Sequence, residues 1–309
     1  MIAAHASAGE YDMSLRMMLP MLLAAVAPPA GAQAQRNLAP PVSSSQRTIL
    51  FVGNSFTQGA HSAVRNWSAD RVTDLNDAGY GGVPALFKAF TEQAGLHYSV
   101  SLETQGGQSL AFHYEQRRHL FDRAWDVVVL QEFSTLDRER PGDPTRYIRS
   151  VGQLAGLLRA RNPLVRIELM ATWSRADQTY LPGGHWYGRS IVAMADDLRA
   201  AADRARRANR SVGGVIPVGQ AWNRAFAANV ADPNPYDGIT YGQVNLWSYD
   251  QYHASTAGYY LEALMVFGQV TGIDPRTLGR NERAADELGL SPDLAASLQT
   301  IAREQLVAR

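Results

Sequence analysis

The chain has 309 residues and a neutral charge balance, with 29 Lys and Arg against 29 Asp and Glu. This balance gives no electrostatic reason to expect nucleic acid as a partner. Cysteine is absent, which excludes disulfides, a thiolate nucleophile, cysteine-ligated metal sites and a lipid anchor on a terminal cysteine. The length suits one large α/β domain better than two small ones.

The N-terminal region resembles a secretory signal, and residues 1–34 are predicted to be a signal peptide. An apolar stretch, 17–27, follows Arg16 and precedes small residues that fit a cleavage site. Acidic residues near the start are unusual for a signal, so translation is expected to begin at Met13. The apolar stretch is too short to span a bilayer, although an uncleaved anchor is the alternative. The protein is therefore predicted to be secreted or periplasmic, with no stable membrane insertion after cleavage.

Residues 35–47, rich in Gln, Pro and Ser, predict a linker, and strand and helix patterns alternate over a single domain, 48–309. The glycine-rich stretch 58–82 has weak periodicity and predicts an insertion that forms a rim or lid beside the site. The alternation predicts a three-layer α/β/α fold around a central, mostly parallel sheet of five strands. Strands are predicted at 48–53, 97–103, 126–131, 165–171 and 213–218, and helices at about 83–95, 109–122, 145–161, 188–209, 219–230, 255–271 and 292–307.

Two distant segments carry groups suited to nucleophilic catalysis. The first strand runs into Gly53-Asn54-Ser55-Phe56-Thr57, which brings Ser55 onto a tight turn at the sheet edge where ligands bind. Near the other end of the domain, Asp250 and His253 lie three residues apart, before a helix. A histidine can act as base for a serine, and an aspartate can hold its tautomer. The alternatives are that Ser55 caps a helix and that His253 is a surface residue.

The next two strands end in groups that can bind an anion. Gly106 and Gly107 follow the second strand, where paired glycines let a backbone N–H approach a ligand closely. Gln131 ends the third strand and carries a side-chain amide that can donate to an oxyanion. A plain turn and a glutamine bonded to the neighbouring backbone are the alternative interpretations.

These blocks, in this order, resemble the SGNH/GDSL hydrolase superfamily over roughly residues 48–272. The resemblance implies that Ser55 is the nucleophile, His253 the general base and Asp250 its orienting partner. It also implies an oxyanion hole made by the N–H groups of Ser55 and Gly107, or Gly106 instead, and by one side-chain amide. The sequence departs from the usual Gly-x-Asn-Asp in the third block, so Gln131 is the nearest amide for that role.

Aromatic residues stand on loops at the same edge of the predicted sheet. Trp173 follows the fourth strand and Trp247 precedes Asp250, and with Asn54 they are predicted to contact substrate. The alternative is that the rings pack the loops against the domain. No group of histidines has metal-ligand spacing, so neither a metal site nor a cofactor is predicted.

The sequence thus favours a secreted serine-dependent ester hydrolase acting on a small-molecule or glycan ester. Removal of acetyl groups from carbohydrates follows from the family resemblance rather than from particular residues. An acyltransferase with the same triad and a catalytically degenerate glycan-binding protein are the alternatives. Oligomeric state is not predicted.

Overall fold

The computed structural model describes residues 46–308, so the predicted signal peptide and almost all of the predicted linker lie outside the described residues. Within this range, six parallel strands form one sheet in the order β2-β3-β1-β4-β5-β6. The strands are β1 (Arg47–Gly53), β2 (Thr73–Asp74), β3 (Tyr98–Thr104), β4 (Val127–Gln131), β5 (Arg166–Ala171) and β6 (Val212–Pro217).

Helices connect the strands and cover both faces of the sheet. A π-helical segment, His113–Arg117, joins α2 to α3 and makes them one irregular helical stretch. The helices are α1 (Gly82–Gln93), α2 (Leu110–Phe112), α3 (Arg118–Phe121), α4 (Thr145–Arg161), α5 (Ala176–Tyr180), α6 (Ile191–Ala208), α7 (Val218–Ala227), α8 (Thr256–Thr271), α9 (Arg283–Glu287) and α10 (Pro292–Val307).

The apolar sequence of β1 explains why the sheet is covered on both faces. Successive side chains of a strand point to opposite faces. Ile49 and Phe51 belong to the core on one face, and Leu50 and Val52 belong to the core on the other. Helices α1, α7, α8 and α10 contribute mainly to the first core, and α4 and α6 to the second. A strand buried on both sides needs apolar residues at every position, as this one has.

The predicted fold class is confirmed, with one correction to the number of strands. The five predicted strands are present with ends shifted by one residue at most, and the sixth, β2, pairs with the outer side of β3. Sequence reasoning missed β2 because two residues are too few for a periodic pattern. It lies inside the predicted insertion 58–82, which also contains two short 3₁₀ turns. The described helices include none long and apolar enough to cross a membrane.

The strand order places a crevice at the carboxyl end of β1. Apart from β2, the chain first adds β3 on one side of β1 and then β4, β5 and β6 on the other. Open α/β sheets bind ligands where the direction of strand addition reverses. The residues after β1 therefore lie at the favoured position for a site.

Candidate active site

The turn after β1 is held closely against β4, and this contact determines where Ser55 lies. A Cβ at Gly53 would lie only 2.5 Å from Thr57 Oγ1 and 2.7 Å from Gln131 Oε1, so glycine is required there. The Asn54 N–H donates to Gln131 Oε1 at 2.9 Å, and Ala60 N–H closes the turn on the Ser55 carbonyl at 3.1 Å. Ser55 is the residue after Asn54 in this turn, and its side chain is partly exposed.

The structure brings Ser55, His253 and Asp250 into one chain of hydrogen-bonding atoms. His253 Nε2 lies 2.9 Å from Ser55 Oγ, and His253 Nδ1 lies 2.6 Å from Asp250 Oδ2. The other carboxylate oxygen, Asp250 Oδ1, accepts the N–H groups of Tyr252 at 3.1 Å and His253 at 2.9 Å. These four contacts fix the orientation of both the carboxylate and the ring, as nucleophilic catalysis by serine requires.

The surroundings favour a neutral imidazole and an ionised carboxylate. Burial is the largest influence and lowers the pKa of His253, the hydrogen bond and charge of Asp250 raise it, and the nearby His61 and Arg175 lower it, so that the pKa lies below its ordinary value. Burial would raise the pKa of Asp250, but the hydrogen bonds from the His253 ring and from two backbone N–H groups lower it below its ordinary value. At neutral pH, His253 is therefore able to accept a proton.

Packed aromatic rings support the loop that carries His253. Trp173 stacks on Phe56 and on Trp222, with ring centroids 4.2 Å and 4.7 Å apart, and the ring centroids of Trp222 and Trp247 are 5.3 Å apart. Trp173 donates to the Tyr252 carbonyl at 3.2 Å. Phe56 adjoins Ser55 in the chain and its ring lies 5.6 Å from the His253 ring. The residue next to Ser55 and the His253 ring thus contact the same aromatic core.

This packing corrects the predicted substrate contacts at Trp173 and Trp247. The two side chains are 0% and 1% exposed, so neither ring presents a face to a ligand. Trp247 instead donates to the Ser174 carbonyl at 2.9 Å. The rings are buried because segments far apart in sequence cover them, and no local pattern indicated this.

Asn54 and Gln131 are also turned into the protein rather than towards a substrate. Asn54 donates to the carbonyls of Gln108 at 3.0 Å and Glu132 at 3.3 Å, and accepts the Phe56 N–H. Gln131 accepts from Asn54 and Thr57 and donates to the Glu132 carbonyl.

Both side chains therefore organise the loops behind Ser55. The structure does not bring the Gln131 amide N–H to the serine, which corrects its prediction as an oxyanion donor. The backbone groups that satisfy it are the reason, because a buried amide bonds the nearest partners.

The Gly106–Gly107 loop follows β3 and precedes α2. Gly107 has a φ of +70°, a left-handed conformation that glycine adopts without strain. Its carbonyl accepts Arg138 Nη2 at 2.6 Å. Neither the Gly107 nor the Ser55 N–H donates to an acceptor within residues 46–308. Their predicted part in an oxyanion hole stays a prediction.

Two cavities flank this loop. Gly107 lines a cavity of about 230 Å³ together with Phe133 and Arg138. Gly106 lines the other, of about 430 Å³, which reaches the predicted insertion. Its lining is mostly polar and includes Gln58, Arg65, Asn76, Asp77, Tyr80 and Gln105.

His61, from the insertion, lies against the candidate triad. Its ring centroid is 4.5 Å from that of His253, and its Nε2 is 3.9 Å from Asp250 Oδ2. Its Nδ1 contacts the Tyr249 hydroxyl. The sequence predicts that His61 lies on a loop bordering the site. Its contact with Asp250 was not predicted, because the sequence separates the two residues by almost the whole domain. Its position supports the prediction that 58–82 forms a rim of the site.

No family model and no curated protein match the sequence, but solved structures do. A DUF4886 family protein from Bacteroides uniformis superposes with a TM-score of 0.58 at 18% identity, over 85% of this chain and 95% of the other. A GDSL-like lipase from Parabacteroides merdae has a TM-score of 0.51 at 19% identity, over 74% and 96% of the two chains. The chain therefore shares the α/β fold of these structures, one of them a GDSL-like lipase, and the fold implied by the resemblance of its sequence motifs is confirmed.

Proposed function

We propose that the protein is a carboxylic-ester hydrolase that works through an acyl-Ser55 intermediate. The observation that carries the proposal is the chain of contacts from Ser55 Oγ through His253 to Asp250, at 2.9 Å and 2.6 Å. A serine hydroxyl is a weak nucleophile until a base removes its proton. The GDSL-like lipase of the same fold agrees with this reaction class.

In the first half of the proposed reaction, His253 Nε2 takes the proton from Ser55 Oγ as that oxygen attacks the ester carbonyl carbon. Asp250 stabilises the imidazolium that forms. The negative charge that develops on the carbonyl oxygen is stabilised by the N–H groups of Ser55 and Gly107. The tetrahedral intermediate then expels the alcohol, which leaves with the proton held by His253.

In the second half, water enters the same position and hydrolyses the acyl-enzyme. His253 takes a proton from the water, the hydroxide attacks the acyl carbon, and Ser55 Oγ leaves with that proton. The products are the carboxylic acid and the free serine.

The alcohol portion of the substrate is proposed to be a sugar carrying short acyl groups. The support is the polar cavity beside Gly106, about 430 Å³, which offers amides, a carboxylate and a tyrosine ring to hydroxyl groups. The signal-like residues 1–34 support action outside the cytoplasm, where such glycans occur.

The experiment that tests the reaction class is intact-mass analysis after exposure to a fluorophosphonate, which labels activated serines. We expect one adduct on the parent protein and none on Ser55→Ala. Ser109→Ala is the matched control, because this neighbouring loop hydroxyl makes no capping bond and is not paired with a base. The control should be labelled like the parent.

A labelled Ser55→Ala protein would contradict the assignment of the nucleophile. No adduct on a well-folded parent would contradict the hydrolase itself and favour a degenerate, glycan-binding protein. Hydrolysis of acetylated sugars compared with short-chain aryl esters would then test the substrate class.

A further inference from the structure

We propose that His61, Asp250 and His253 form a binding site for a divalent transition-metal ion such as Zn²⁺, and that binding there switches the enzyme off. The inhibitory part of this proposal rests on the proposed function, whereas the binding part does not. One ligand atom from each residue lies within 4.8 Å of the others. Two imidazoles and a carboxylate are the ligands that zinc prefers in open sites, with a remaining position for water.

The distances are close to those of a metal site. Ligand atoms around a tetrahedral zinc, with bonds of about 2.0–2.1 Å, are roughly 3.3 Å apart. The separation from His61 Nε2 to Asp250 Oδ2 is 3.9 Å, and from His253 Nδ1 to Asp250 Oδ2 it is 2.6 Å. Side-chain rotations that move the ligand atoms by about 1 Å would bring these separations close to 3.3 Å. The His61 side chain, 39% exposed, has room to make them.

Neighbouring groups suit a metal-bound His61. A metal-ligating histidine commonly donates its other ring N–H to an oxygen that fixes the ring. The Tyr249 hydroxyl already contacts His61 Nδ1 and leaves Nε2 facing Asp250. His61 has a φ of +62°, and the Ser248 hydroxyl bonds its carbonyl at 2.6 Å. The ring is thus held against the triad by contacts on both its backbone and its side chain.

Metal binding would remove the base from the reaction at either nitrogen of His253. A metal on Nε2 occupies the lone pair that accepts the serine proton. A metal on Nδ1 displaces the Asp250 contact and leaves the proton on Nε2, which then donates to Ser55 Oγ. In both cases Ser55 loses its base, and turnover stops until the metal leaves.

The test is zinc binding measured by isothermal titration calorimetry on the full chain, with inhibition of ester hydrolysis measured separately. His61→Asn removes the imidazole and keeps a residue that tolerates a positive φ. His119→Asn is the matched control, because His119 is an exposed histidine away from the cluster. We expect one zinc per parent or control chain, and affinity lower by at least about tenfold in His61→Asn. Mg²⁺, which prefers oxygen ligands, should not bind.

Inhibition by zinc should weaken in His61→Asn by the same factor as binding. Zinc should also slow fluorophosphonate labelling of Ser55 in the parent, which tests the proposal without any variant. Equal zinc affinity in the parent and a folded His61→Asn, or labelling unaffected by saturating zinc, would overturn it. Zinc binding without ester hydrolysis would contradict the proposed function and leave the metal site standing.

Discussion

The two sides of Ser55 are built differently. On one side, the rings of Phe56, Trp173 and Trp222 stack with interplanar angles of 4° and lie fully buried beneath the His253 loop. On the other side, the Gly106–Gly107 loop separates two open, largely polar cavities. The aromatic side supports the loop that carries His253, and the glycine side lines open cavities. In the proposed reaction, the position of the base would therefore depend on the core, and the access of the ligand would depend on the loops.

The largest expected effect comes from the carboxylate on the aromatic side. Asp250→Asn should lower kcat/KM by about 10⁴, because the amide no longer holds the imidazole in the reactive tautomer. Stability should change little, since Asn can still accept the two backbone N–H groups. Steady-state kinetics on a short-chain ester measure the effect. Asp203→Asn, which changes a carboxylate paired with Arg199 on α6, is the control; equal losses in both variants would contradict the assignment.

The aromatic stack should dominate stability. Trp173→Ala should lower the free energy of unfolding by about 3–5 kcal/mol, because a large buried side chain is replaced by a cavity. Urea unfolding followed by circular dichroism measures it. Tyr241→Ala, at a fully exposed ring, should change stability by no more than about 0.5 kcal/mol. A Trp173→Ala protein as stable as that control would refute the supporting role of the stack.

Substitutions in the Gly106–Gly107 loop should mainly change the rate of ester hydrolysis. Gly107→Ala forces a residue with a side chain into the left-handed region, which should lower the free energy of unfolding by about 1–2 kcal/mol. If the strain displaces the N–H, kcat/KM should fall by up to about a hundredfold. Gly106→Ala should be nearly neutral, because the nearest atom to its new Cβ is 3.9 Å away. A larger rate loss in Gly106→Ala would assign the oxyanion donor to that residue instead.

The smallest effect per step, here per pH unit, is a change in how stability depends on pH. Burial raises the pKa of Glu132 to about 8, although its carboxylate accepts N–H groups from Phe133 and Leu110. Between its unfolded value near 4.5 and 8, the folded state keeps a proton that the unfolded state loses, so stability falls as pH rises. Each pH unit in this window costs about 1.4 kcal/mol at most.

Glu132→Gln should remove this dependence. Its stability relative to the parent should increase from pH 5 to pH 8, as measured by urea unfolding at several pH values. A parallel pH dependence in the two proteins would contradict a buried, neutral Glu132 behind the serine turn.

The sequence predicted the strands and most of the helices, and these confirmed predictions rest on local patterns, such as an apolar strand before a glycine turn. The structure brings Ser55, Asp250 and His253 together, and their catalytic roles stay a prediction. It turns four other residues away from their predicted roles. Asn54 and Gln131 were expected at the ligand because they are polar and lie at strand ends. Asn54 instead donates to the carbonyls of Gln108 and Glu132 on other loops. Gln131 donates to the carbonyl of the next residue, Glu132, and accepts from Asn54 and Thr57 of the serine turn, so both side chains are turned inward.

The contrast between Trp247 and His61 illustrates the limit of local patterns. Both stand on loops, yet the tryptophan is buried in the core and the histidine lies beside the triad. Strand periodicity, turn residues and the three-residue spacing of Asp250 and His253 can be read locally, because each reflects backbone geometry over a few residues. Burial of a loop side chain and convergence of His61 with a distant Asp250 depend on which segments pack together. Only the folded chain determines them, because they arise from contacts between residues far apart in sequence.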